Sequence, residues 1–108
     1  MGHSSLPKTI DQLCVLVASY DRRAELDYLR KAYTFAETAH HGQKRASGEP
    51  YIIHPLATAF TLAEMHLPVT ILAAALLHDV PEDTSRTLED IKQEFGEDVS
   101  SMVAGITK

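Results

Sequence analysis

The sequence has few of the features that mark a secreted, membrane-bound or nucleic-acid-binding protein. It contains one cysteine in 108 residues, so no internal disulfide can form, and its N-terminus lacks the charged segment and apolar core of a secretory signal. Ten Lys and Arg residues against fifteen Asp and Glu residues give a formal net charge of -5, which argues against broad binding to DNA or RNA. These absences favour a reducing compartment, and we predict a cytoplasmic location.

Long hydrophobic runs are also absent. The most apolar stretch, from Ile71 to Leu77, is too short to span a bilayer and predicts a buried core helix, so we expect no membrane partner. With 44% hydrophobic and 23% charged residues, the chain fits one small soluble domain. The single cysteine, Cys14, lies among apolar residues and is interpreted as a small buried hydrophobe.

Apolar residues recur at helical spacing along most of the chain, and no segment alternates with a period of two for long enough to form a strand. The predicted fold class is therefore all-α. Met1 to Ser5 have no periodic pattern and are interpreted as a vector remnant. The remaining sequence predicts helices over 10–20, 23–41, 55–66, from 69 through 77, from the Thr87 capping box to Gly96, and from about Glu97, with a loop over 42–53.

Ionisable residues follow the apolar run without a polar transition, in the order His78-Asp79-Val80-Pro81-Glu82-Asp83. Burying such groups near a core costs several kcal/mol each unless something compensates them, and a divalent cation is an efficient compensator. A second histidine, His54, is expected at the mouth of its own helix. His54, His78 and Asp79 therefore form a candidate mixed nitrogen and oxygen site suited to Mn, Fe or Zn.

The local backbone decides whether both adjacent ligands can reach one ion. Neighbouring residues of a straight helix point about 100° apart, which works against a shared ion. Pro81 removes the hydrogen bond to the carbonyl of Leu77, so we expect the helix to bend or end there. Glu82 and Asp83 lie four residues beyond the two proposed ligands, where they could orient or deprotonate a metal-bound water.

Each of these residues also has a simpler interpretation. A His-Asp pair at a helix end is common as a solvated cap. Lys44 and Arg45 fit an exposed basic loop as well as a base or phosphate contact, although a guanidinium stacks or forks readily. His40 and His41 are predicted to be surface residues near a helix C-terminus. For Tyr51 the sequence does not decide between a core position and a stacking platform.

The chain from Ala32 onward resembles the hydrolase domain of the RelA/SpoT proteins, which make and degrade the alarmone nucleotides ppGpp and pppGpp. The matching stretches occur in the family's order and near its spacing. They are Ala32-Tyr33-Thr34-Phe35-Ala36, Ala39-His40, Gly42-Gln43, Arg45, Ser47-Gly48-Glu49-Pro50-Tyr51-Ile52, His54-Pro55, Ala74 with Leu76-Leu77-His78-Asp79, Glu82-Asp83-Thr84, Phe95-Gly96 and Gly105-Ile106-Thr107-Lys108.

The resemblance implies an HD-domain helical bundle, partial in this chain, over residues 32–108, preceded by an N-terminal helical segment over residues 1–31. It also implies a nucleotide substrate, (p)ppGpp, a Mn²⁺ cofactor, and release of pyrophosphate from the 3′ position, as in the stringent response. By the same resemblance, His54, His78 and Asp79 are expected to bind the metal.

The resemblance assigns four further residues. Glu82 and Asp83 are expected to activate the attacking water, and both are retained, as in hydrolase-competent members. Arg45 is expected to contact the guanine base, with Ser47 nearby.

The resemblance further implies another metal-ligating Asp in a helix beyond Lys108. We therefore expect an incomplete ligand set, a chain that is part of a longer bifunctional GTP pyrophosphokinase and hydrolase, and weak or no activity of this part alone. Two other functions stay open. One is hydrolysis of a different nucleotide or phosphate ester by the same chemistry, and the other is a helical regulatory or interaction domain that holds no metal.

Overall fold

The computed structural model describes residues 9–106 and confirms the all-α fold class. Within those residues, one isolated antiparallel bridge between Lys44 and Pro50 is the single extended pairing. The interpretation of Met1 to Ser5 falls outside the described residues. The helices, in chain order, are α1 (Ile10–Tyr20), α2 (Leu26–Ala39), α3 (Ile53–Glu64), α4 (Val69–Leu77), α5 (Val80–Asp83), α6 (Leu88–Phe95) and α7 (Glu97–Ile106).

Side-chain caps fix two of the helix starts. Thr9 begins α1 with a capping box closed by Gln12, and Thr87 begins α6 with a capping box closed by Asp90. In each box the threonine hydroxyl accepts a backbone N–H that has no partner inside the helix. The capping box predicted at Thr87 is thus confirmed, and so is the end of α6 at Gly96.

Two helices have different bounds from those predicted. α2 begins later than residue 23 because the Asp21 carboxylate accepts the backbone N–H of Arg23, which holds those residues in a turn. α3 begins at Ile53 rather than at Pro55. A proline is tolerated anywhere in the first turn, where backbone N–H groups have no helical partner, so α3 extends two residues further towards the loop.

The central element of the core is α4. Its residues Val69 and Leu72 to Leu77 are all buried, as the sequence predicts for a helix that is apolar on every face. It packs against α2, α3 and α7. Each fully buried leucine contributes about 1.5–3 kcal/mol relative to an exposed one, so the C-terminal end of α4 has a well-fixed position.

The other helices pack around α4. α1 contributes Leu13, Cys14 and Val17 to the same core and contacts α2 and α3, so the predicted burial of Cys14 is confirmed. α6 and α7 pack together, and α7 also lies on α4. Within residues 9–106, no helix combines the length and the apolar character that crossing a membrane requires.

Candidate metal centre

The apolar helix α4 ends at Leu77, directly before the proposed ligands. His78 and Asp79 form a two-residue turn, and the short helix α5 begins at Val80 with Pro81 in its first turn. Because Pro81 has no N–H, the hydrogen bond to the carbonyl of Leu77 that would continue α4 cannot form. The predicted end of the helix is confirmed. At this turn His78 Nε2 lies 3.2 Å from Asp79 Oδ1, so the two adjacent side chains converge.

His54 completes the cluster from the first turn of α3. One ligand atom from each of His54, His78 and Asp79 lies within 4.8 Å of the other two, and all three residues are partly buried. The ring centroids of the two histidines are 6.1 Å apart. The structure therefore brings together the three residues that the sequence grouped, and they form a cluster that could hold a metal ion.

Hydrogen bonds around the cluster orient the side chains of His78 and Asp79. His78 Nδ1 lies 2.6 Å from the carbonyl oxygen of Ala75. Since a carbonyl only accepts, Nδ1 carries the proton and Nε2 presents its lone pair. On Asp79, Oδ2 accepts a hydrogen bond from the Tyr51 hydroxyl at 2.7 Å, while Oδ1 faces His78. This donor set fits a divalent cation that accepts both nitrogen and oxygen ligands.

Tyr51 is the main residue of the site that the sequence did not assign. It ends the loop before α3, and its hydroxyl also lies 3.4 Å from Asp83 Oδ2. Burial raises the pKa of Tyr51, and the hydrogen bond to Asp79 and the charges of Asp79 and Asp83 raise that pKa further. The phenol therefore stays protonated at neutral pH and acts as a donor.

The prediction that His40 is a surface residue is wrong. Its side chain is 2% exposed because the loop after α2 folds back over the end of that helix. His40 Nδ1 lies 3.0 Å from Gln43 Oε1, and its ring packs on Tyr51 with a centroid distance of 4.7 Å. His40 Nε2 has no hydrogen-bond partner among residues 9–106. His41, in contrast, is exposed as predicted.

Glu82 and Asp83 both lie in α5, directly after the ligand turn, and both are exposed. Asp83 lies near the cluster, because its carboxylate is next to the Tyr51 hydroxyl that donates to Asp79. Its backbone carbonyl also accepts a hydrogen bond of 2.6 Å from Gln43 Nε2. Asp83 is therefore held beside the cluster, whereas the Glu82 side chain has no hydrogen bond or ion pair with any described residue.

Arg45 and Ser47 lie in the exposed loop between α2 and α3. The loop is closed by backbone hydrogen bonds of 2.9 Å from Arg45 N to Glu49 O and 2.8 Å from Gly48 N to Arg45 O. Gly48 has φ +92°, a conformation that suits glycine. In the described part of the chain neither side chain contacts the His and Asp cluster, so their roles in binding stay predictions.

Comparison with known proteins shows the family of the chain. The HD domain family matches residues 32–108. The bifunctional (p)ppGpp synthase/hydrolase SpoT of Escherichia coli K12 is 49% identical over 98 residues, which cover 91% of this chain and 14% of that protein. The guanosine-3′,5′-bis(diphosphate) 3′-pyrophosphohydrolase of Aquifex aeolicus is 45% identical over 108 residues, which cover 100% of this chain and 15% of that protein.

A third relative carries the other activity in its name. The GTP pyrophosphokinase of Streptomyces coelicolor is 45% identical over 102 residues, which cover 92% of this chain and 12% of that protein. The chain thus spans about a seventh of the length of the curated relatives that it matches. These similarities confirm the resemblance to the RelA/SpoT proteins, and the chain belongs to the HD domain family.

Proposed function

We propose that this chain is part of a longer enzyme that hydrolyses the guanosine alarmones (p)ppGpp at the 3′ position and releases pyrophosphate, with a Mn²⁺ ion bound by His54, His78 and Asp79. The observation that carries the proposal is the convergence of these three side chains at the end of a buried helix. The relatives named as 3′-pyrophosphohydrolases support the substrate. We further propose a cytoplasmic setting within a bifunctional GTP pyrophosphokinase and hydrolase.

The proposed ligands are held by different parts of the fold. His54 comes from the first turn of α3, while His78 and Asp79 come from the turn that follows α4. Packing of α3 against α4 supports a site whose ligands are positioned without an ion. A bound Mn²⁺ would supply Lewis-acid polarisation of the phosphate that is attacked.

The chain's own carboxylates supply the acid and base chemistry in this proposal. Asp83, beside Asp79, is placed to accept a proton from the attacking water, and Glu82 in the same turn assists it. The product is then the 5′-diphosphate or 5′-triphosphate of guanosine together with pyrophosphate. Arg45 on the exposed loop would stack on the guanine base, with Ser47 nearby to donate a hydrogen bond.

We also propose the division of the chain made from its sequence. Residues 32–108 form the HD unit, and residues 1–31 contribute a preceding helical segment. Packing of α1 on α2 and α3 supports a structural role for that segment, since Leu13 and Val17 are fully buried in the shared core.

The test uses a protein extended beyond Lys108, and it compares pyrophosphate release from ppGpp with hydrolysis of GTP and ATP in the presence of manganese. We expect manganese-dependent release from ppGpp and a clear preference for it over the other nucleotides. Equal rates on all nucleotides would favour an HD phosphohydrolase of broader substrate range. A protein that binds no manganese would favour the helical interaction domain instead.

A further inference from the structure

We infer that Tyr51 is a positioning residue of the metal centre: its hydroxyl orients the Asp79 carboxylate towards the metal. The inference rests on the proposed function, in which Asp79 binds the ion and Asp83 accepts a proton. No spacing in the sequence suggests this role, because Tyr51 and Asp79 are 28 residues apart.

The two distances from the Tyr51 hydroxyl define the arrangement. The hydroxyl oxygen lies 2.7 Å from Asp79 Oδ2 and 3.4 Å from Asp83 Oδ2. A phenol has one hydrogen, so it donates to the nearer carboxylate, and a bond of this length to an ionised oxygen is among the stronger hydrogen bonds in proteins. With Oδ2 held in this way, Asp79 Oδ1 is the oxygen left to face His78 Nε2 at 3.2 Å.

The surroundings of Tyr51 fix the position of its hydroxyl. Its backbone N–H donates to the carbonyl of Gln43 at 3.0 Å, and its ring packs on His40 with an interplanar angle of 30°. The ring also lies beside His54, with centroids 5.9 Å apart and an interplanar angle of 73°. A side chain held on several sides loses little further freedom when it orients a ligand, which is the requirement for preorganising a metal site.

Gln43 extends the same support to the second carboxylate. Its side-chain oxygen is held by His40 Nδ1 at 3.0 Å, and its side-chain nitrogen donates to the backbone carbonyl of Asp83 at 2.6 Å. The loop from Gln43 to Tyr51 therefore makes one hydrogen bond to Asp83 in α5 and one to Asp79 in the turn before it. Since that loop also carries Arg45, the proposed base contact and the residues that support the metal centre lie on the same loop.

The experiment measures the dissociation constant for Mn²⁺ by calorimetry in the wild-type protein and in the Tyr51→Phe variant. Phenylalanine keeps the ring that packs on His40 and removes only the hydroxyl. Loss of such an outer hydrogen bond typically weakens metal affinity about 10–100-fold, and we expect a loss in that range. The matched control is Tyr20→Phe, which removes a hydroxyl that donates to the Leu67 carbonyl at 2.6 Å, and this control should leave the affinity unchanged.

A spectroscopic readout separates positioning from a merely structural role. Cobalt(II) in place of manganese has absorption bands that respond to ligand geometry, so Tyr51→Phe should alter the cobalt spectrum while Tyr20→Phe should not. Thermal unfolding of both variants without metal shows the stability that each lost hydroxyl contributes. Folded Tyr51→Phe protein with an altered cobalt spectrum supports the inference.

Three results count against the positioning role. Wild-type manganese affinity and an unchanged cobalt spectrum in Tyr51→Phe would overturn it while leaving the proposed function standing. An equal loss of affinity in Tyr20→Phe would assign the effect to general destabilisation. A wild-type protein that binds no manganese at all would overturn the proposed function and the positioning role together.

Discussion

The connection between α6 and α7 provides a sharp test of the backbone. Gly96 joins these helices with φ +96° and ψ 168°, a region of backbone space that is essentially restricted to glycine. A Cβ added there would have no heavy atom within 4 Å, so the cost of alanine would come from its backbone conformation and not from a steric clash. We expect Gly96→Ala to lower the free energy of unfolding by about 1–3 kcal/mol.

Urea denaturation followed by far-ultraviolet circular dichroism measures this loss. In thermal unfolding, each kcal/mol of lost unfolding free energy should lower the melting temperature by about 4–8 °C for a domain of this size. The matched control is Gly105→Ala, which makes the same chemical change inside α7, where φ is not positive and the added Cβ also meets open space. Because alanine is favoured over glycine in a helix by up to about 1 kcal/mol, the control should gain stability. The same sign of change in both variants would refute the assignment of the Gly96 backbone.

Three further predictions concern the core, the acidic pair and the tyrosines. Leu76→Ala removes a fully buried side chain of α4 and should cost about 2–5 kcal/mol in urea denaturation, whereas a cost well under this range would mean that α4 is not central to the core. Glu82→Gln and Asp83→Asn should each lower kcat for pyrophosphate release about 100-fold or more while manganese affinity by calorimetry is kept, and loss of the metal would instead make either residue a ligand. Above a pH of about 10 the melting temperature should fall. Burial raises the pKa of each tyrosine in the folded protein above its pKa in the unfolded chain. The stability that is present below the unfolded pKa is therefore lost as the pH rises through the folded pKa. Tyrosinate absorbance reports the same ionisation, and a melting temperature that stays flat there would contradict the pKa shifts of Tyr20, Tyr28, Tyr33 and Tyr51.

Helices and their ends could be predicted where local chemistry decides them. The capping box at Thr87, the stop at Gly96 and the break before Pro81 each depend on residues within a few positions of one another. The bounds of α2 and α3 were predicted less well. There the start of α2 is set by a hydrogen bond from the Arg23 backbone N–H to the Asp21 carboxylate. The start of α3 is set by the tolerance of a first helical turn for Pro55.

Some residues of the candidate site could likewise be predicted from the sequence, and others could not. His54, His78 and Asp79 could be grouped from sequence because ionisable residues beside a wholly apolar helix need compensation. The burial of His40 and the hydrogen bond from Tyr51 to Asp79 could not be predicted from sequence. Both depend on how the loop after α2 folds back over the helix end. Contacts between residues distant in sequence leave no periodic signal.

The central claim is that the His and Asp cluster is the metal centre of an alarmone hydrolase. Manganese content tests it most directly, by elemental analysis of wild-type and His78→Ala protein, both extended beyond Lys108, after dialysis against Mn²⁺, with pyrophosphate release from ppGpp measured on the same samples. We predict a single manganese ion per wild-type chain, little or none in the variant, and pyrophosphate release that follows the metal. Equal manganese content in both proteins would contradict the account.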